Sequence, residues 1–321
     1  MIRAIALCGP TASGKTALSV RIARRLGCEI ISCDSMQLYR GMDIGTAKVT
    51  KEEMLGVPHH MIDILDPWED FSVSDYRETA LRIAGEIVSR GKIPFFVGGT
   101  GLYIDSLLRA PLSRVPESDP SLLERYREIS EREGGKEELH AKLAAIDPES
   151  AAAIHPNNVR RVIRALILYE MTGETKTEID RKSRTAPADI SVGMATLLFH
   201  RRETLYERTD RRVDEMLAAG LEDEVRTLFA SGALRENTTA AQAIGYKEFA
   251  GYLRGECDRA QAADAVRLAT RHYAKRQLTW FRAEADAMPV YTDEEDGTPK
   301  SHDVLVEELI SRYNSYFANN N

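Results

Sequence analysis

The sequence predicts an α/β fold: a P-loop NTPase-like parallel sheet flanked by helices, with an inserted all-helical subdomain. Three observations lead there. Short apolar runs alternate with stretches of helical periodicity, the first run leads into a glycine-rich loop, and a long helical stretch interrupts the alternation. Strands separated by helices imply parallel pairing with right-handed crossovers, which places a binding crevice at the carboxyl ends of the strands.

Residues 2–8 (IRAIALC) form the first strand, ending at Gly9, and Leu18, Ile22 and Leu26 give the following segment a helical period. A second strand, 29–33 (EIISC), ends at Asp34. The third, 93–97 (IPFFV), runs into Gly98-Gly99-Thr100-Gly101, and 195–200 reads as a fourth. Gly9, Asp34 and Thr100 therefore fall at the crevice. About a hundred residues separate the third and fourth strands, far more than one crossover requires. We assign 115–194 to the helical insertion and 1–114 with 195–321 to the core. In the insertion, Asp119-Pro120 starts a helix, Gly134-Gly135 stops it, and Pro148 and Pro156 punctuate the stretch beyond. A helix over 158–171 buries Val159, Val162, Ile163 and Leu166 and leaves Arg160, Arg161 and Arg164 on another face. After the fourth strand the chain reads as helical to about residue 284, and the polar tail beyond Asp293 is expected to fray.

A chain of 321 residues that is 43% apolar can bury a sizeable core. No apolar run approaches the ~20 residues that span a bilayer, and MIRAIALCGP is too short in its apolar part for a secretion signal. The four cysteines form no C-x-x-C pair and fit no zinc or disulfide framework. A cytoplasmic protein without membrane contact is expected. The net charge of −7 argues against indiscriminate coating of nucleic acid. Local patches are another matter: residues 267–282 hold four Arg and one Lys and no acid.

Gly9-Pro-Thr-Ala-Ser-Gly14-Lys15-Thr16 matches G-x-x-x-x-G-K-[ST] with a strand before it and a helix after it. The N–H groups of such a loop and the positive end of its helix cradle a di- or triphosphate. Lys15 adds a point charge, and the Thr16 hydroxyl suits Mg²⁺. Most such loops serve ATP or GTP, yet the third strand lacks the usual Mg²⁺-directed Asp. The available carboxylate is Asp34, which could cap a helix, hold Mg²⁺ through water, or act as a general base. His59 and His60 precede Asp63, but adjacent histidines do not share a helix face and no third ligand has suitable spacing, so hydrogen bonding is the plainer role. Trp68 and Phe71 are expected to anchor a loop by core packing.

Within 267–282, Arg267, Arg271, Lys275 and Arg282 share one side of a helix, opposite Tyr273, Trp280 and Phe281. On composition alone this is a solvated basic face over an aromatic core contact. Arg160, Arg161 and Arg164 make a second patch, and two basic helix faces on a net-acidic protein that also has a phosphate pocket favour a polyanionic substrate.

Together, GPTASGKT (9–16), DSMQLY (34–39), GMDIGTAK (41–48), HHMIDI (59–64), VGGTGLY (97–103), IHPNN with RRVIRAL (154–166), GYK (245–247) and KRQLTWFR (275–282) resemble the tRNA dimethylallyltransferases, also called tRNA isopentenyltransferases. The resemblance runs from about residue 4 to residue 282. Val49, Asn158 and Ile167 depart from the family pattern. It implies transfer of a dimethylallyl group from dimethylallyl pyrophosphate to the exocyclic amine of the adenine 3′ of the anticodon. The P-loop (Gly9, Thr11, Ala12, Ser13, Gly14, Lys15, Thr16) and Arg212 would then hold pyrophosphate, with Mg²⁺ at Thr16. The resemblance makes Asp34 the general base and sets Thr100 near the reacting amine. It implies contacts to the tRNA anticodon stem-loop from Asp34, Ser35, Met36 and Gln37; from Arg160, Arg161 and Arg164; from Gln242, Gly245, Tyr246 and Lys247; and from Lys275, Arg276, Gln277, Trp280 and Arg282. A monomer is expected. A small-molecule kinase would explain residues 1–101 but not the insertion or the basic helices. A P-loop module that only binds RNA would leave Asp34 unexplained.

Overall fold

Among the described residues of the computed structural model (1–109, 119–185, 188–235 and 238–319), six strands form one parallel sheet in the order β3-β2-β4-β1-β5-β6. They are β1 (Ile2–Cys8), β2 (Cys28–Cys33), β3 (His59–His60), β4 (Ile93–Gly98), β5 (Ile190–Leu198) and β6 (Met288–Tyr291). The helices of the larger unit are α1 (Lys15–Leu26), α2 (Val73–Ser89) and α3 (Gly101–Leu108), then α9 (Arg202–Ala218), α10 (Leu221–Ala230), α11 (Tyr246–Leu253), α12 (Arg259–Arg282) and α13 (His302–Asn319). Those of the smaller unit are α4 (Pro120–Glu131), α5 (Gly135–Ile146), α6 (Pro148–Ala153), α7 (Val159–Thr172) and α8 (Lys176–Thr185).

Strand periodicity sorts the sheet's side chains to two buried faces. Ala4, Ala6, Cys8, Ile31, Cys33 and Phe96 pack with Tyr76, Ala80 and Ala84 of α2 and with Ala274, Leu278 and Phe281 of α12. Ile5, Leu7, Ile30, Phe95, Ala195 and Leu197 pack with Leu18 and Ile22 of α1 and with Leu305, Leu309 and Tyr313 of α13.

That last helix corrects the expectation of a fraying tail. Leu305, Val306, Leu309, Ile310 and Tyr313 recur at helical spacing and are buried, an apolar stripe that the polar composition hides. The Tyr313 hydroxyl donates to the Ala6 carbonyl at 2.8 Å, and Asp303 and Glu307 pair with Arg21 and Arg25 of α1. β3 and β6 were not expected, having two and four residues, too few for a period to show.

The chain packs as two units, Met1–Leu108 with Ile190–Asn321, and Arg109–Asp189. The expected insertion end at residue 194 falls inside β5, whose residues Ile190–Met194 pair with β1. Ser191 and Gly193 break the apolar run there and hide the strand's start. In the smaller unit Tyr126, Leu139, Leu143, Val162, Ile163 and Leu166 form a separate core. Asp119 caps α4 with Pro120 at its first position, and Pro148 opens α6. α4 ends earlier than expected, at Glu131 with Arg132 as its C-cap, and Gly134, at φ 71°, is the N-cap of α5, so the glycine pair starts a helix where the sequence predicts a stop.

Candidate active site

The P-loop joins β1 to α1 and is assembled from its own backbone. Gly14, the N-cap of α1, has φ 91°, a left-handed conformation that a side chain would strain. Lys15 Nζ donates to the carbonyls of Gly9 and Pro10 at 2.9 and 2.7 Å. Burial, and after it the charge of Arg212, lowers the Lys15 pKa to about 7, while Asp34 acts in the opposite sense. The Arg212 pKa is also lowered by burial, against the attraction of Asp34 and Glu215. Its buried Nε has no hydrogen-bond partner among the described residues. Lys15, Asp34 and Arg212, far apart in sequence, are thus close enough for their charges to act on one another.

Asp34 follows β2, and its Oδ1 accepts from the N–H groups of Met36 and Gln37 at 2.9 and 3.4 Å. No helix begins after Asp34, so it caps none; its Oδ1 closes a turn instead, and this occupies only one oxygen. Thr100 follows β4. Its N–H donates to the Cys33 carbonyl at 3.0 Å, and its Oγ1 accepts from the Ser35 N–H at 3.1 Å, which ties the glycine-rich turn to the Asp34 turn. For Tyr273 of α12, burial, then the charge of Asp34, pushes the hydroxyl pKa up, against the opposing effect of Thr100.

Two residues expected at the tRNA have other work in this structure. Gln277 is 7% exposed; its Oε1 accepts from Thr11 N–H at 2.8 Å and its Nε2 donates to the Gly99 carbonyl at 2.9 Å. Both ends of the side chain are engaged between the P-loop and the turn before Thr100. Tyr246 is fully buried and donates to Glu224 Oε1 at 2.5 Å. Its ring covers Gly45, where a Cβ would lie within 2.5 Å of it.

Glu224 is a residue that sequence reasoning missed. Its carboxylate accepts from the backbone N–H groups of Asp43, Ile44 and Gly45 at 2.8–3.1 Å as well as from Tyr246. The GMDIGTAK segment is further held by Lys48, whose Nζ meets Asp43, Asp63 and the Tyr39 carbonyl at 2.6, 2.5 and 2.8 Å. Gln37 Nε2 reaches the carbonyls of Thr46 and Ala47. A run of three acids, 222–224, reads as a solvated face, and nothing in its pattern marks the middle of a loop as its partner.

The basic face of α12 is also revised. Arg267 pairs with Asp214 and Asp264 at 2.7 Å each, and Arg271 with Asp210 at 3.0 Å. The segment 267–282 has no acid of its own, but Asp210 and Asp214 of α9 and Asp264, one turn earlier on α12, supply them. Lys275, Arg276 and Arg282 stay exposed, with Arg276 5.8 Å over the Tyr273 ring and Arg282 bonded to the Phe199 carbonyl at 2.9 Å. Trp280 is partly buried beside Gly101. Gln242 and Lys247 are exposed, and Gly245 is buried. In the smaller unit Arg160, Arg161 and Arg164 are exposed and form no ion pair among the described residues.

His60 hydrogen-bonds Glu29 at 2.8 Å and His59 the Val57 carbonyl at 2.9 Å. Phe71 packs on the main core, whereas Trp68 is 51% exposed, against expectation. No group of three His, Cys, Asp or Glu among the described residues is arranged to hold a metal. The Thr16 hydroxyl and the second Asp34 oxygen still suit Mg²⁺, which commonly rests on one or two protein oxygens plus phosphate. No described helix is long and apolar enough to cross a membrane.

A G-x-x-x-x-G-K-T loop, a strand-end carboxylate and a threonine-bearing turn at the strand ends of a parallel sheet define a P-loop-like α/β protein. The comparisons narrow this. The IPP transferase family model matches residues 37–284, and the isopentenyl transferase model matches residues 2–63. The tRNA dimethylallyltransferase of Halalkalibacterium halodurans is 49% identical over 285 residues, covering 88% of each chain. That of Bacillus subtilis is 48% identical over 280 residues, 87% of each chain. The crystal structure of a tRNA isopentenylpyrophosphate transferase from Bacillus halodurans superposes with a TM-score of 0.72 at 42% identity, covering 98% of this chain and 96% of that one. A eukaryotic dimethylallyltransferase acting on tRNA gives 0.80 at 27% identity, over 99% and 80%. The chain belongs to the IPP transferase family, and it is a tRNA-modifying prenyltransferase.

Proposed function

We propose that the chain transfers a dimethylallyl group from dimethylallyl pyrophosphate to the N6 amine of the adenine 3′-adjacent to the tRNA anticodon. The observation that carries this reading is the electrostatic closeness of Asp34 to Lys15 and Arg212: a base and an anion cradle that one substrate pair can share. An adenine amine is a poor nucleophile because its lone pair is delocalised into the ring. As its nitrogen bonds to the allylic carbon it must lose a proton, and Asp34 takes it. The carbon–oxygen bond breaks at the same carbon and pyrophosphate leaves. Loop N–H groups, Lys15 and Arg212 stabilise the charge that grows on the departing oxygen. Mg²⁺, when bound at Thr16, adds charge neutralisation to the leaving group. Thr100, tied to Ser35, orients the amine. The base reacts only when flipped out of the anticodon loop, and Arg160, Arg161, Arg164, Lys275, Arg276 and Arg282 hold the surrounding backbone. A monomer in the cytoplasm, with all four thiols free, is the simplest setting.

Incubation with labelled dimethylallyl pyrophosphate and unmodified tRNA, beside labelled ATP with candidate metabolites, tests this. Label carried into tRNA is expected. Label moving only from ATP to a small molecule would return the chain to the kinases.

A further inference from the structure

Helix α9 carries Arg208 and Arg212 one turn apart, and neither guanidinium has a hydrogen-bond acceptor or an ion pair among the described residues. Of the acids on the same helix, Asp210 and Asp214 are taken by Arg271 and Arg267 of α12, and Glu215 attracts Arg212 without forming an ion pair with it. Arg208 lies beside the P-loop. A Cβ placed on Gly14 would sit 3.5 Å from Arg208 Nη2 and 3.7 Å from His302 Nε2. The guanidinium carbon lies 5.6 Å from the centroid of the Phe199 ring, a cation–π contact that uses none of its N–H donors. Burial lowers its pKa, as does the neighbouring Arg211, while Asp293 opposes them. A half-buried cation with five donors and no acceptor is costly unless an anion completes it.

We propose that Arg208 is a second guanidinium ligand of the pyrophosphate, gripping it from the Gly14 side while Arg212 and Lys15 hold it from the Asp34 side. This rests on the reading of the P-loop as a pyrophosphate cradle. Two planar forks on one helix face recognise two linked phosphates where a single fork recognises one.

Calorimetry with inorganic pyrophosphate and inorganic phosphate on wild-type, Arg208→Gln, Arg208→Lys and Lys15→Ala proteins tests it, with melting curves recorded with and without pyrophosphate. Arg208→Gln, which can still pack on Phe199, should weaken pyrophosphate binding about ten- to a hundredfold. It should weaken phosphate binding less and leave the ligand-free melting temperature and tRNA affinity in place. Arg208→Lys should recover part of the loss. Unchanged pyrophosphate affinity in Arg208→Gln, with Lys15→Ala impaired, would overturn the role of Arg208 and spare the cradle. A lower ligand-free melting temperature with equal losses of pyrophosphate and tRNA binding would make Arg208 a packing residue and also overturn it. A wild-type protein that binds no pyrophosphate would instead sink the reading of the cradle itself.

Discussion

Gln277 accepts a hydrogen bond from the Thr11 N–H at 2.8 Å, so a buried amide of α12 holds a P-loop residue 266 positions away. Its other end donates to Gly99, one residue before Thr100. Gln277→Ala removes both bonds and leaves a buried N–H and C=O unpaired, a loss of about 1–3 kcal/mol for each. The expected outcome is a lower melting temperature and weaker pyrophosphate binding with tRNA affinity retained. Filter binding of tRNA beside calorimetry of pyrophosphate checks it. Lost tRNA affinity at an unchanged melting temperature would restore the direct contact that the family resemblance implies.

The same residue shows where sequence reading stops. The P-loop, the Asp34 turn and the glycine-rich turn were legible because each is a local pattern at a strand end, and strand ends share one edge of a parallel sheet. Gln277 and Tyr246 sit in motifs too, but a motif says only that the residue type matters. Whether the side chain points at a substrate or at the chain's own backbone depends on packing between distant helices. Glu224, with its four donors, and Arg208, beside Gly14, lie in ordinary amphipathic helices whose charges look solvated until the partner loop is in place. The terminal helix was missed for the opposite reason: its apolar stripe is narrow and its composition polar.

Lys15 should make pyrophosphate binding pH-dependent. Burial and Arg212 lower its pKa to about 7, so above that pH the ligand-free side chain is mostly neutral. Pyrophosphate favours the ammonium form, so binding takes up a proton. Affinity should fall as pH rises from about 7 to 9, by at most about tenfold per unit for one proton. For stability the sign is opposite. The unfolded chain holds this proton up to its ordinary pKa of 10.5, so the ligand-free protein gains stability from this group as pH rises through that window. Calorimetry in buffers of different ionisation enthalpy measures the uptake, and Lys15→Met should abolish it. Equal uptake in that variant would assign the proton to the ligand.

The two basic patches should behave differently. Arg160→Ala with Arg164→Ala removes exposed charges with no ion-pair partner among the described residues. It should weaken tRNA binding and reduce the slope of log K against log salt by about 0.7–0.9 per lost phosphate contact. Arg271→Ala instead breaks the pair with Asp210, so it should lower stability more than it changes the slope. Lys275→Ala, with an exposed ammonium, should act on the slope. Salt titrations of all three variants decide the matter, and an unchanged slope in the Arg160 and Arg164 variant would return that face to solvent.

Asp34 has an observed role in its turn and a proposed one as general base, and one substitution can separate them. Its Oδ1 caps the turn through Met36 and Gln37, whereas its other oxygen bonds to no described residue and is open to the amine proton. Asn keeps an oxygen for the cap and removes the base; Ala removes both. If Asp34 takes the proton in the transition state, Asp34→Asn should lose about 10²–10⁴ in kcat with little change in the Kd of either substrate. Asp34→Ala should add a lower melting temperature and a displaced Ser35–Thr100 contact. A magnesium-holding role predicts a different pattern: weaker pyrophosphate affinity in Asp34→Asn, partly restored by raising Mg²⁺. A purely capping role predicts near-normal kcat in Asp34→Asn and a loss confined to Asp34→Ala. Measuring kcat, both Kd values, their Mg²⁺ dependence and thermal stability on the two variants separates these readings, because only the base assignment predicts a large kcat loss in a variant that still binds both substrates and still folds.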